Sequence, residues 1–118
     1  MTEQQISTAL DELISMVASG QTLEAFEKFY HSDLEKTDFL TGATYKGKAE
    51  NDQANQELLS KITAFRGLTA IGKVVKDNRS FLVWHIDIDH ADKGTVNVIQ
   101  VAIQDWKDGK IFIERFVA

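Results

Sequence analysis

This sequence predicts an α+β fold in which helices come first and an antiparallel meander follows, and three observations predict it. Apolar residues recur at helical spacing near the amino terminus, as Ile6, Leu10, Leu13, Ile14 and Val17. Strand-like runs fill the last third, at about Thr69 to Lys76, Arg79 to His90, Thr95 to Lys107 and Lys110 to Val117. Between those runs lie Asp77-Asn78 and Asp108-Gly109, the length and chemistry of two-residue hairpins, and the longer loop His90-Ala91-Asp92-Lys93-Gly94. Connections this short force neighbouring strands to be antiparallel, and no strand-helix-strand alternation is present.

Each element has its own signal. Thr2 followed by Gln5 offers a capping box to the first helix, and Ser19-Gly20 ends it. A second helix is expected from Leu23 to about Tyr30, capped by Thr22 or Gln21, with Leu23, Phe26, Phe29 and Tyr30 as its apolar face. The helical period then lapses. Leu34 to Phe39 reads as a short strand, followed by a turn at Thr41-Gly42. A third helix is expected from Lys48 to Phe65, burying Ala54, Leu58, Ile62 and Phe65, with Gly67 closing it.

Composition narrows the function classes. A chain of 118 residues suits one domain, expected to span 1–118. The 43% hydrophobic and 26% charged residues are those of a globule with a core. A formal charge of −5, with no concentrated Lys/Arg run, argues against nucleic acid or an anionic membrane as partner. The absence of cysteine removes disulfides, thiol nucleophiles and thiolate zinc sites. Met1 to Leu10 lacks a basic region followed by an apolar one, and no apolar run reaches membrane length, so a cytoplasmic location is expected.

Alternation along the strands assigns faces. In the second strand of the meander Leu82, Trp84, Ile86 and Ile88 share the core side, and Val83, His85, Asp87 and Asp89 the other. The third is ambiguous: Ile99, Val101 and Ile103 oppose Val96, Val98, Gln100, Ala102, Gln104 and Trp106. In the last, Phe112, Glu114 and Phe116 oppose Ile111, Ile113, Arg115 and Val117. Helices can cover only one face, so apolar groups on both predict a partner for the other, and a symmetric homodimer through the sheet is the expectation.

The order of elements, an aromatic-rich helix ending at Phe29-Tyr30, Gly47 opening a helix, and the closing Trp106-Lys107-Asp108-Gly109-Lys110-Ile111 and Glu114-Arg115-Phe116 resemble the nuclear transport factor 2-like superfamily. More narrowly, the chain is similar to its SnoaL-like and ketosteroid isomerase-like branch. The resemblance covers nearly the whole chain. It implies a cone-shaped α+β barrel, a curved antiparallel sheet wrapped by three amino-terminal helices, with an apolar pocket for a small hydrophobic ligand. Function does not follow from that shape alone. The acid that ketosteroid isomerases use as general base falls on Asp38, and a carboxylate in an apolar cavity is suited to removing a proton beside a carbonyl. Their oxyanion tyrosine falls on Leu13 and their second acid near Ala102, neither of which donates a hydrogen bond from its side chain. The histidine and aspartate of polyketide cyclases fall nearest Ala102 and Glu114.

The pocket residues that the resemblance implies are Phe26, Tyr30, Trp84, Gln100, Gln104, Phe112, Glu114 and Phe116; the pattern alone leaves open the register with Ile99, Val101 and Ile103 in the core. The aromatics among them serve equally as plain core. Cofactor-free chemistry or simple binding is expected, and no metal. Same-face residues two apart on a strand lie about 6.5–7 Å from each other. His85 with Asp87 could therefore chelate, but His90 points away, and a solvated or dimer-facing strand end is the plainer reading. His31 reads as a helix-end residue favoured by the dipole.

Overall fold

The computed structural model describes residues 1–118, which form three helices and one sheet. The first helix, α1 (Glu3–Ala18), starts at the expected capping box. Thr2 Oγ1 accepts from the Gln5 amide at 3.1 Å, and Gln5 Oε1 accepts from the Thr2 amide at 2.9 Å. Its buried face is Ile6, Leu10 and Leu13, and Gly20, with φ +82°, turns the chain away. Helix α2 (Thr22–Phe29) begins at Gln21, which makes no side-chain cap bond, and buries Ala25, Phe26 and Phe29.

Tyr30 does not extend that helix but opens strand β1 (Tyr30–Thr37), four residues ahead of the expected start at Leu34. The reason lies in strand β6 (Lys110–Val117), whose free edge pairs with β1 in parallel, with Tyr30 opposite Ile111 and Lys36 opposite Glu114. His31 is accordingly a strand residue rather than a helix end, with Nε2 3.2 Å from Asp108 Oδ2 and its ring edge-on to Phe112. A hairpin through Asp38-Phe39-Leu40-Thr41 leads to the short β2 (Thr44–Lys46).

Helix α3 (Lys48–Ser60) stops five residues before the expected Phe65. The apolar spacing that runs on through Ile62 and Phe65 fits a helix, but the long strand β4 (Arg79–His90) offers a ladder to everything after Ser60. Pairing with β4 wins, so β3 spans Ile62–Lys76, and Phe65 is 63% exposed on this edge strand instead of buried beneath a helix. Three register shifts along β3, including those at Gly67 and Gly72, curve the sheet. The bounds of β4 and β6 match the expected strands, and β5 (Gly94–Lys107) starts one residue early. The β5–β6 turn has positive φ at both Asp108 and Gly109, as a type I′ hairpin requires.

The sheet order is β2-β1-β6-β5-β4-β3. All neighbours are antiparallel except β1 and β6, so the sheet is mixed, and it stays open between its edges β2 and β3 rather than closing into a barrel. Helices pack on its concave face, where Leu34, Leu82, Ala102 and Ile111 meet Ile6 and Leu10. None of the helices is long and apolar enough to cross a membrane. Asn51 holds α3 in place: its Nδ2 donates to the carbonyls of Leu34, Tyr45 and Gly47 at 2.8–3.3 Å.

Candidate functional site

The alternation of β5 decides which polar groups look inward. Gln100, Ala102, Gln104 and Trp106 are buried toward the helices, while Ile99 is 59% exposed on the opposite face. The core register with Ile99, Val101 and Ile103 is therefore excluded. Across β4, Ser80, Leu82 and Trp84 face the same way, directly opposite Gln104, Ala102 and Gln100. On β6 a bulge at Phe112, opposite Asp105 and Trp106 of β5, breaks the simple alternation, placing Ile111 in the core and Glu114 opposite Gln104.

These strands form the floor of a cavity of about 200 Å³ between sheet and helices. Its walls include Leu13 and Phe26 from the helices and Trp84, Ile86 and Phe116 from the sheet. A second lobe of about 120 Å³ adjoins it toward β2 and α3. Lys36, Asn55, Leu58, Ile86, Gln100 and Phe116 line both lobes and so form their junction.

Seven of the expected pocket residues, Phe26, Tyr30, Trp84, Gln100, Gln104, Glu114 and Phe116, line the larger lobe. Phe112 does not. The β6 bulge turns it away, and it packs against His31 with the Lys107 ammonium 4.7 Å from its ring centre. Asp38 lines only the smaller lobe, at the end of β1. Its carboxylate accepts from the Leu40 amide at 3.1 Å and the Thr41 hydroxyl at 3.3 Å, shaping the turn into β2. The structure thus joins Gln100, Gln104 and Glu114 in one lobe and Asp38 with Gln100 in the other.

A chain of hydrogen bonds orders the floor. Trp106 Nε1 can only donate, and it donates to Ser80 Oγ at 2.8 Å. The Ser80 hydrogen then goes to Gln104 Oε1 at 2.7 Å, which turns Gln104 Nε2 toward Glu114 Oε2 at 2.8 Å. Tyr30 Oη lies 2.9 and 2.7 Å from Glu114 Oε1 and Oε2. Indole, hydroxyl and amide thereby fix which way each dipole points at the carboxyl group. Ser80, Trp106, Lys36 and Asn55 were absent from the expected site. Their signal was the inward alternation of β4 and β5 for the first two, but nothing local marks Lys36 or Asn55.

Glu114 is only 1% exposed, and that burial raises its carboxyl pKa above the ordinary value, against the opposing pull of the Lys36 charge and the Gln104 and Tyr30 hydrogen bonds. The Tyr30 hydroxyl is held well above its usual range by burial first and by the Glu114 charge second. Lys36 Nζ donates to Asn55 Oδ1 at 3.1 Å and stands 5.2 Å from the centre of the Phe116 ring. Gln100 is 5% exposed, and its Oε1 is buried with no protein partner.

The outer-face histidine run is occupied otherwise. His85 Nε2 lies 2.6 Å from Asn97 Oδ1, and Arg66 pairs with both Asp87 and Asp89 at 2.8 Å. His90 is buried on the inner side, where its Nδ1 accepts from the amides of Asp92 and Lys93. No group of three His, Cys, Asp or Glu side chains gathers where it could hold a metal ion.

Solved structures share this architecture. A SnoaL-like protein from Mesorhizobium loti superposes with a TM-score of 0.85 at 23% identity, with 100% of each chain covered. A nuclear transport factor 2-like protein of unknown function from Burkholderia pseudomallei gives 0.79 at 13% identity, over 99% of this chain and 91% of that one. A protein with a ketosteroid isomerase-like fold from Catenulispora acidiphila gives 0.74 at 13%, over 91% and 85%. At these identities the likeness is one of fold. No curated protein matches the sequence. The family model of the SnoaL-like domain matches residues 1–118, and the chain belongs to that family.

Proposed function

We propose that this SnoaL-like protein binds a small, mostly apolar molecule in the two-lobed cavity, with no cofactor. The observation that carries the reading is a concave, aromatic-walled space whose few polar groups, Glu114, Tyr30, Gln104 and Gln100, converge on one floor. Such walls supply affinity, and the fixed polar groups orient the guest. The test is a thermal-shift panel of neutral apolar compounds against the wild type and Leu58→Trp, which fills the junction. Stabilisation of the wild type alone supports the reading, and a panel that stabilises neither protein refutes it.

A second reading is cofactor-free proton transfer by an isomerase, cyclase or hydrolase. Asp38 is its expected base, although its two oxygens would have to leave the Leu40 and Thr41 donors to act. The buried Glu114 carboxyl favours the same class of chemistry, because burial raises its pKa above the ordinary carboxylate value and so makes it a stronger base. Turnover unaffected by Asp38→Asn would remove Asp38 from that role.

We also propose a homodimer formed through the outer sheet face, supported by the exposed Val74, Ile99 and Val117 there. The net charge of −5 speaks against nucleic acid or an anionic membrane as a further partner, and the lack of cysteine suits the reducing cytoplasm.

A further inference from the structure

One hydrogen bond crosses from sheet to helix where the two lobes meet. Lys36 reaches out from β1 and Asn55 from α3, with Lys36 Nζ donating to Asn55 Oδ1 at 3.1 Å, and both residues line both lobes. Phe116, whose ring centre lies 5.2 Å from the ammonium, lines both as well.

Each end of that bond keeps donors to spare. An ammonium carries three hydrogens, and Lys36 gives a single one to the protein. A cation can only donate, so Asn55 must meet it with Oδ1, which leaves Nδ2 as the free end of the amide. Asn55 Nδ2 bonds no protein group, and it is not closed off: the buried side-chain polar atoms without a partner are Asn51 Oδ1 and Gln100 Oε1. Two donors, one of them charged, are thus held side by side in a mostly apolar wall.

The ammonium also lacks a counter-ion, since Lys36 takes part in none of the ion pairs of the chain. The carboxyl opposite it in the β1–β6 register, Glu114, gives its oxygens to Tyr30 and Gln104, and burial pushes it toward its neutral form. Asp38, the acid of the smaller lobe, is occupied by Leu40 and Thr41. An amine in this place would meet a like charge, and a neutral guest would leave the ammonium to water. A dianion would set a second, unpaired charge beside two acids. A carboxylate accepts on both oxygens, one for each donor, and charge-assisted bonds of this kind are about twice as strong as neutral ones.

We propose that the ligand is a monocarboxylate with an apolar tail, its head held by Lys36 Nζ and Asn55 Nδ2 and its tail filling the larger lobe. This rests on the pocket reading above and adds the head group to it. Leu13, Phe26 and Trp84 receive the tail of a neutral compound equally well, and Lys36 with Asn55 supplies the further affinity for the acid.

The test uses octanoate, octanamide and octylamine, which share one eight-carbon chain and differ in the charge of the head. Affinities are measured by calorimetric titration at neutral pH in the wild type, Lys36→Met, Lys36→Gln and Asn55→Leu. The wild type is expected to bind octanoate at least about tenfold tighter than octanamide, and octylamine most weakly. Both Lys36 variants are expected to lose the preference while holding octanamide within about threefold, and Asn55→Leu to weaken octanoate more than octanamide. Two Lys36 variants guard against misfolding in one, and the wild-type ranking stands without any of them. Equal wild-type affinities for octanoate and octanamide, or tightest binding of octylamine, would overturn the carboxylate assignment while leaving the pocket reading intact. A preference for octanoate that survives in both Lys36 variants, or that Asn55→Leu leaves unchanged, would overturn the two-donor head site. If none of the three compounds binds at millimolar concentration, both the assignment and the pocket reading fall.

Discussion

Ser80→Ala removes a single oxygen, yet it should be among the most damaging small substitutions in this protein. The Ser80 hydroxyl is fully buried, accepts from Trp106 Nε1 at 2.8 Å and donates to Gln104 Oε1 at 2.7 Å. Alanine leaves almost no cavity, so the cost comes from the two orphaned partners. A buried donor or acceptor left unpaired costs about 1–3 kcal/mol, and shared relaxation of the indole and amide places the pair at about 2–4 kcal/mol in all. For 118 residues the unfolding entropy near the midpoint is about 0.25 kcal/mol/K, so each kcal/mol lowers Tm by about 4 °C. The expected drop is therefore about 8–16 °C by calorimetry, with a matching fall in the urea midpoint and no change in m-value. Adding Gln104→Leu should cost less than the two single changes summed, by about 1 kcal/mol or more, because one orphan disappears in the double variant. A Ser80→Ala loss below about 0.5 kcal/mol, or strict additivity with Gln104→Leu, would refute the hydrogen-bonded chain on the cavity floor.

Three further outcomes follow from the same geometry. Glu114 has a folded-state pKa above its ordinary value of 4.5, so the folded protein holds this proton more tightly than the unfolded chain; the wild type should lose stability as pH rises from about 4.5 through the folded pKa. Glu114→Gln, which keeps an acceptor for Tyr30 and Gln104, should be relatively more stable on the alkaline side, and urea unfolding at pH 4, 6 and 8 showing the opposite slope would refute the raised value. Asn51→Ala removes the donor to three carbonyls that ties α3 to β1 and β2, and should cost about 2–3 kcal/mol in urea unfolding, with faster amide exchange in α3 than elsewhere. Ile99→Asp, on the outer sheet face, should halve the mass seen in sedimentation without changing the unfolding free energy of the monomer by more than about 0.5 kcal/mol, and an unchanged mass would remove this face as the dimer surface.

Much of this protein could be read from short stretches of sequence because the physics there is local. The Thr2–Gln5 capping box, the stop at Gly20, the Asp108-Gly109 turn and the alternation of β4 depend on residues a few positions apart, and all stand where the sequence puts them. Tertiary structure decided what depends on a distant partner. Ile62 to Phe65 carry spacing compatible with a helix, and only the presence of β4 makes them strand. Tyr30 leaves its helix because β6, eighty residues later in the chain, offers an edge. The inward face of β5 is apolar on both sides by sequence, and the helices choose it. A one-residue bulge, invisible to alternation, removed Phe112 from the pocket and kept Glu114 in it. The candidate site shows the division most sharply: Trp106, Ser80, Gln104, Glu114 and Tyr30 lie on four strands, and no segment of sequence contains the chain that joins them. Sequence determines side-chain capacity and local period, whereas pairing across the sheet determines which capacities meet and which, like that of Gln100 Oε1, stay buried without a protein partner.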